Sequence, residues 1–395
     1  MAINLNLGSP NWMNPLIVMS VGGTAVTATT DLSSFTSTQI AALSNTQVGA
    51  LTSTQVRAIT PDALGGLSNS QVQALSTRNV ASLTDDQVAA LSTKQLNALK
   101  SAQINAMTAG QIDALTGDQL TGLRASQISS VNTLRLGSVS SDQIAAFSTA
   151  QIQALTTDQM IALISAQIGA LGDPQITSLK AKQLRAIETR DLGALVSSQI
   201  AALSTSQIVT FTTGQIAAFR PDQIALIETD DLAALTTAQV AAFTSDQVAA
   251  LTSEQIQALK PSQISALSTR GISVLDEEQI GALSSTQLIA LKDVQIVALT
   301  SDQFNYLSST QLSTLTTHQI SVIQTQDIAA LETSLIEGMS SAQIAALTTA
   351  QIRALDTDQV KAIELDGDVA ALTTTQVLAM KTEQIAAFTS LQIPQ

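Results

Sequence analysis

Apolar and polar residues follow each other along this chain with a period of eight. From Gln39 the repeats read QIAALSNT, QVGALTST and QVRAITPD, and the register continues unbroken to Gln359. We label the positions a to h, with Gln at a, Ile or Val at b, Ala at d, Leu at e, and Ser or Thr at f. One residue is inserted near 366–367, and the register resumes at Asp368.

One long helix does not fit this period, because eight residues advance about 80° beyond two full turns and the apolar stripe would spiral. Each repeat instead carries its own helix-start signals. Ser or Thr at f and Gln at a form a capping box, and the apolar residues at e and b form a hydrophobic staple. Pro61, Pro221 and Pro261 fall at the first helical position, and acidic residues cluster at h, near the positive helix end. The pattern predicts a new helix of about six or seven residues in every repeat.

Helices this short form only when their neighbours cover them. We therefore predict an all-α solenoid, or superhelix, with one very short helix per repeat and with b, d and e in the core. A β-solenoid is the alternative, because an even period also keeps b and d on one face. It would place Leu at e on the opposite face, use the weak strand formers Ala and Gln throughout, and leave Pro at g unexplained.

Two regions follow from the register. Residues 31–395 form the predicted solenoid, and residues 1–30 lie outside the repeat. The N-terminal segment is either a cap on the last apolar layer, with β-structure at Ile17, Val18 and Val26, or a segment that adds to a neighbouring subunit. The predicted assembly residues, taken from this segment and from the C-terminal repeat, are Trp12, Pro15, Leu16, Ile17, Val18, Leu391 and Ile393.

Composition narrows the class of protein. Of 395 residues, 45% are hydrophobic, 12% are charged and 2% are aromatic, which is too apolar for a disordered chain and too uniform for an ordinary enzyme. The net charge of -14 comes without any basic stripe, so we expect no nucleic-acid partner. Polar residues recur every few positions, so we expect no membrane span.

Candidate chemistry is sparse. The chain has no Cys, and its single His, His318, stands at h, where it faces solvent. These residues cannot build a nitrogen and sulfur metal site or activate a Ser nucleophile, so we predict no catalytic residue, no cofactor and no enzyme activity. Glu364, Asp366 and Asp368 surround the inserted residue; we interpret them as a backbone bulge and keep a Ca²⁺ site as the alternative.

The unit L-[ST]-x-x-Q-[IV]-x-A-L, seen at residues 83–91 and 347–355, resembles the octapeptide-repeat tracts of large bacterial secreted and cell-surface proteins, which are often adhesin-like. The resemblance covers most of the chain. It implies a bacterial source and an extracellular scaffold, and it carries over no active-site residue.

These observations lead to two functional hypotheses. The first is a non-enzymatic extracellular structural protein, which polymerises head to tail with itself into a surface filament or sheath, or forms an adhesin stalk. Its N-terminus lacks a charged signal region, since the first basic residue is Arg57, so we expect export without a recognisable N-terminal signal peptide. The second is a monomeric binding scaffold that recognises a protein, a cell-surface glycan or ice along its solenoid face.

Overall fold

The structure is a computed structural model that describes residues 20–21, 24–27, 29–137, 139–365 and 368–388. The chain divides into two compact units, Met1–Ala194 and Leu195–Gln395, and each is an all-α solenoid with one short helix per repeat. The fold class predicted from the sequence is therefore confirmed, and the β-solenoid alternative is wrong.

The first unit opens with the short antiparallel strands β1 (Ser20–Val21) and β2 (Thr24–Ala25), in which Val21 pairs with Thr24. Val26, for which β-structure was predicted, follows β2 and is not in a strand, and Ile17 and Val18 lie outside the described residues. The helices of this unit are α1 Ser37–Ala41, α2 Asn45–Ala50, α3 Ser53–Ala58, α4 Pro61–Leu64, α5 Asn69–Ala74, α6 Thr77–Ser82, α7 Asp85–Ala89, α8 Thr93–Ala98, α9 Ser101–Ala106, α10 Ala109–Asp113, α11 Gly117–Thr121, α12 Ala125–Ile128, α13 Thr133–Leu136, α14 Ser141–Ala145, α15 Thr149–Ala154, α16 Thr157–Ala162, α17 Ser165–Gly169, α18 Asp173–Ser178, α19 Ala181–Ala186 and α20 Thr189–Leu192.

The second unit continues the same pattern, with one 3₁₀ helix, Asp368–Ala371, after the inserted residue. Its α-helices are α21 Ser197–Ala201, α22 Thr205–Ile208, α23 Thr213–Ala218, α24 Pro221–Ile224, α25 Thr229–Ala234, α26 Thr237–Ala241, α27 Ser245–Ala249, α28 Ser253–Ala258, α29 Pro261–Ile264, α30 Thr269–Ile272, α31 Glu277–Gly281, α32 Ser285–Ile289, α33 Asp293–Ile296, α34 Ser301–Asn305, α35 Ser309–Thr314, α36 Thr317–Val322, α37 Thr325–Ala330, α38 Thr333–Glu337, α39 Ser341–Ala346, α40 Thr349–Ala354, α41 Thr357–Leu365, α42 Thr374–Ala379 and α43 Thr382–Ala387.

The predicted helix starts are confirmed. Thr52, at the N-cap of α3, accepts from the backbone N–H of Gln55 at 3.2 Å, and the Gln55 side chain accepts from the Thr52 N–H at 2.9 Å. Pro61, Pro221 and Pro261 each occupy the first turn of a helix. The acceptor half of the box persists where f is not Ser or Thr. At Lys100, for example, the backbone N–H still donates to the Gln side chain of its repeat, at 2.7 Å.

Among the described helices, 20 have the six residues that the sequence predicted, 22 have only four or five, and α41 has nine. Leu259 at e shows why the helices end so early. Its backbone lies at φ -63° and ψ 136°, outside helical geometry, while its N–H bonds to the carbonyl of Ile256. The next N-cap, Lys260, follows directly, so α28 ends before e. Only α41 among the described helices runs on through e, at Ile363, and it ends at Leu365 just before the inserted residue.

The core contains b and e as predicted, but not d. Ile256 at b is 0% exposed and Leu259 at e is 2% exposed, whereas Ala258 at d is only half-buried. Most Gln side chains at a take the place that the sequence interpretation gave to Ala: Gln247 is 1% exposed and Gln255 is 3% exposed.

Each turn of the solenoid contains three helices. In the first unit α3 contacts α6, α6 contacts α9 and α9 contacts α12; in the second unit α24, α27, α30 and α33 follow each other in the same way. Helices three repeats apart therefore stack in a column, and each unit is built from contacts between successive turns. This near-neighbour pattern is characteristic of solenoids.

The Gln amide at a links one turn to the next. Nε2 of Gln247 donates to the carbonyls of Ile216 (2.9 Å) and Phe219 (2.7 Å), while its Oε1 accepts from the N–H of Thr244 (2.9 Å). The two carbonyls belong to the C-terminal end of α23, one turn below. One side chain thus accepts from the N-cap N–H of its own helix and donates to two carbonyls at the end of another helix, where few carbonyls have a full set of partners within the helix.

We predict that Gln247→Glu destabilises the fold, because the variant keeps the acceptor but loses the donor and buries a carboxylate beside two carbonyls. The loss in the free energy of unfolding should be about 2–5 kcal/mol, measured by urea unfolding followed by circular dichroism. It should shrink at acidic pH, where the protonated carboxyl can donate again.

The matched control is Gln257→Glu, which makes the same change at the exposed position c of the same unit. It should alter stability by about 0.5 kcal/mol or less. Equal losses in the two variants would contradict a special role for the buried amide.

Candidate functional site

The residues predicted for assembly belong to the two ends of the sequence. Trp12, Pro15, Leu16, Ile17, Val18, Leu391 and Ile393 all lie outside the described residues. That assignment therefore stays a prediction.

The calcium candidates surround the inserted residue, after α41. Asp366 lies outside the described residues, as do the side chains of Glu364 and Asp368, so this site also stays a prediction. Elsewhere in the described parts of the chain, no three His, Asp or Glu side chains come together in a way that could hold a metal ion.

His318 faces solvent, as predicted from its position h. Its Nε2 lies 2.9 Å from Oδ2 of Asp293, and both side chains are more than half exposed. An ion pair this exposed contributes little to stability. The contact links α36 to α33 in the turn below, at the surface of the solenoid.

Acidic residues at h interact with helix N-termini, as the sequence indicated. The backbone N–H of Glu254 lowers the pKa of its own carboxyl, and the Thr252 hydroxyl adds to the effect. The pKa of Asp222 is also lowered, mainly by the hydrogen bonds that it accepts from Arg220. Both carboxyls are exposed, and negative charge in the first turn of a helix is favourable beside the positive end of the helix dipole.

Where a is not Gln, the link between turns changes. Asn79 keeps one donor bond, from its Nδ2 to the carbonyl of Leu51 at 2.8 Å, and its Oδ1 accepts from the Ser53 hydroxyl of the turn below at 3.5 Å. Asp191 and Asp327 likewise accept from a Ser hydroxyl of the turn below, at 2.5 Å from Ser165 and 2.7 Å from Ser301. Oδ2 of Asp191 lies 3.6 Å from the Arg190 guanidinium, whereas the buried Oδ2 of Asp327 has no hydrogen-bond partner in the described residues.

Two parts of the described chain hold core groups that lack their usual neighbours: the amide of Gln47, and the apolar side chains at b in α42 and α43. Gln47 is 9% exposed and its Oε1 accepts from the Ser44 N–H at 2.7 Å, but its Nε2 has no hydrogen-bond partner among the described residues. Val377 and Ile385, at b in α42 and α43, are 43% and 51% exposed, although b is almost fully buried in the helices before them. Leu378 beside them is 81% exposed.

The sequence interpretation did not identify these residues as candidates for assembly. The signal available was their register: each holds a core position, a or b, close to a place where the repeat begins or changes. They combine an unpaired donor with uncovered apolar side chains, which are the two features that a further turn of the same repeat would satisfy.

The repeat itself identifies the family. The profile of the ALTTAQ repeat matches residues 28–61, 56–93, 88–125, 135–165, 184–220, 224–261, 320–362 and 360–395, which is well over half of the chain. The chain belongs to the ALTTAQ repeat family. A search of curated proteins found no match.

The structure gives the six letters of this repeat name a physical meaning. In residues 346–351 the sequence ALTTAQ runs from Ala at d, at the edge of the core, to the buried Leu at e and the N-cap Thr at f. It ends on Gln351, whose Nε2 bonds to the carbonyls of Ile320 (2.9 Å) and Ile323 (2.8 Å). The ALTTAQ unit therefore spans the junction between two helices and ends on the residue that links two turns.

Among the described helices, none combines the length and the apolar character that a membrane span requires.

We predict that Asp327→Gln stabilises the protein. The change replaces a buried carboxylate, which has one unpaired oxygen, by the amide that most ALTTAQ repeats carry at position a. The gain in the free energy of unfolding should be about 1–3 kcal/mol, read from urea unfolding. Asp191→Gln is the matched comparison and should gain less, since Arg190 already compensates that carboxylate. A loss of stability in Asp327→Gln would show that the surroundings of this position favour a carboxylate over an amide.

Proposed function

We propose that this chain is a non-enzymatic structural protein of the bacterial cell surface, which assembles head to tail with further copies of itself into a filament or sheath. The observation that carries the proposal is the incomplete bonding pattern: a buried donor at Gln47, and apolar core positions left uncovered at Val377 and Ile385. In a solenoid each turn presents the surface that the turn before it requires. A second copy is therefore the partner whose chemistry fits best.

Assembly would provide partners for groups that a single copy leaves without them. A buried amide without an acceptor costs about 1–3 kcal/mol, and uncovered Val and Ile side chains gain by burial. Docking the turn that carries Gln47 onto the turn that carries Val377 would satisfy both with the interactions used inside each unit. Such a contact does not close on itself, so it propagates into a filament.

The extracellular location and the absence of enzyme activity are part of this proposal. The uniform repeat, the low share of charged residues and the lack of Cys support a scaffold whose surface tolerates solvent without specialised chemistry. The resemblance of the repeat to tracts in secreted and cell-surface proteins supports the location. An adhesin stalk would use the same solenoid without polymerising.

The test is negative-stain electron microscopy of the full-length protein and of Gln47→Glu, across salt and Ca²⁺ concentrations. The variant keeps the acceptor for the Ser44 N–H but places a carboxylate where the amide donor stood. We expect long uniform fibres from the unmodified protein and isolated particles from the variant, with the same helical circular dichroism in both.

Gln257→Glu is the control, because it adds the same charge at an exposed position within the second unit, and it should form fibres. Isolated particles from the unmodified protein under every condition would contradict self-assembly. Fibres from Gln47→Glu would show that assembly uses another surface.

A further inference from the structure

The second unit contains a surface groove that self-assembly does not explain. Its volume is about 660 Å³, within the range of small-molecule sites. It lies across the column of α28, α31 and α34 and the neighbouring helices α32 and α35. The residues that define it are Gln257, Gly281, Ser284, Tyr306, Ser308 and Gln311.

The groove exists because of a glycine in one stacked row. Gln257, Gly281 and Asn305 occupy position c in three successive turns of the column, so Gly281 lowers the surface between two long polar side chains. A Cβ built on Gly281 would meet no atom within 4 Å. Open solvent therefore reaches the backbone at this point.

This opening also uncovers a linking amide. Gln311 holds position a, and its Nε2 bonds to the carbonyls of Leu283 (2.9 Å), Ile280 (3.1 Å) and Gly281 (3.1 Å). It is partly exposed, whereas the Gln side chains at position a of the neighbouring repeats are buried. Its carboxamide and the Ser308 hydroxyl, which donates to Gln311 Oε1 at 3.1 Å, form a polar wall of the groove.

The groove is also lined by an aromatic side chain, that of Tyr306. Tyr306, the one Tyr in the chain, stands at d, where Ala is usual, and it is 37% exposed. It presents an apolar ring beside the amide of Gln257 and the hydroxyl of Ser284, and none of the described residues that line the groove is charged. An aromatic face with amides and hydroxyls around it suits a ligand that has an apolar face, many hydroxyls and no net charge.

We propose that this groove binds a neutral glycan, with one sugar ring stacked on Tyr306 and its hydroxyls bonded to the side chains of Gln257 and Ser284. The ligand class follows from the combination of groups: an anionic ligand would find no cation here, and a purely apolar one would cover the Gln257 amide without giving it a partner. The site is independent of the ends that self-assembly would use.

The single Tyr provides a direct reporter. We would follow the ring signals of Tyr306 by NMR in the full-length protein labelled at Tyr, during titration with cellohexaose, maltohexaose and chitohexaose up to about 10 mM, the range in which shallow sites bind. At least one of these neutral oligosaccharides should shift the ring signals in a saturable way. Trigalacturonate, which carries carboxylates, should not.

Two variants locate the binding. Tyr306→Ala restores the residue that position d usually has, so the fold should persist while the affinity falls by about tenfold or more. Because this variant lacks the reporter ring, its binding is read from saturation-transfer NMR of the oligosaccharide, with the unmodified protein measured in the same way. Gly281→Gln copies the residue one turn earlier, fills the groove without a clash, and should abolish the shifts at Tyr306. Gly214→Gln is the control, because Gly214 is exposed and lies outside the groove.

Circular dichroism and urea unfolding of each variant separate loss of binding from loss of fold. The absence of any saturable shift with all three neutral oligosaccharides would overturn the proposal. So would binding that Gly281→Gln leaves unchanged, or an equal response to trigalacturonate.

Discussion

The carboxamide of Gln at position a is the interaction on which the rest of this structure depends. Gln343 is typical: its Oε1 accepts from the Ser340 N–H at 3.0 Å, and its Nε2 donates to the carbonyls of Leu312 (2.9 Å) and Leu315 (2.8 Å). Helices of four to six residues consist almost entirely of ends, whose backbone groups lack partners within the helix. The amide bonds such groups at the start of one helix and at the end of another in the turn below.

This arrangement sets the period and leaves the surface free. The amide lies three residues after the N-cap and meets one carbonyl 28 residues earlier and another 31 residues earlier, as at Gln247, or 30 residues earlier, as at Gln119, which ties the repeat length to this spacing. After the inserted residue near 366–367, Gln376 meets carbonyls 29 and 32 residues earlier, and the same bonds form. Positions c, g and h carry no such constraint. Gly281 can therefore open a groove, and acidic residues can gather at helix starts, without disturbing the core.

The start of each helix could be predicted from the sequence, because it depends on residues within one repeat. The way in which helices stack could not be predicted, because it depends on contacts between distant repeats. Pro61 at the first helical position and the capping boxes fix where each helix begins. The number of helices per turn depends on backbone angles at residues such as Leu259, which no residue type dictates. Gln was interpreted as a cap and not as a core residue, because Gln is usually exposed, and Ala at d was assigned to the core in its place. The groove at Tyr306 was missed because it joins residues from four repeats, most of which become neighbours only once three helices form a turn.

The most direct test of this account is hydrogen exchange of the Gln side-chain amides, followed by NMR on protein labelled at Gln. If the amides hold successive turns together, Nε2 hydrogens at position a, such as those of Gln247 and Gln343, should exchange far more slowly than those of the exposed Gln257. Protection at a should vanish together with that of the core backbone on addition of urea. Exchange at the rate of free amides for every Gln in the chain would contradict the account.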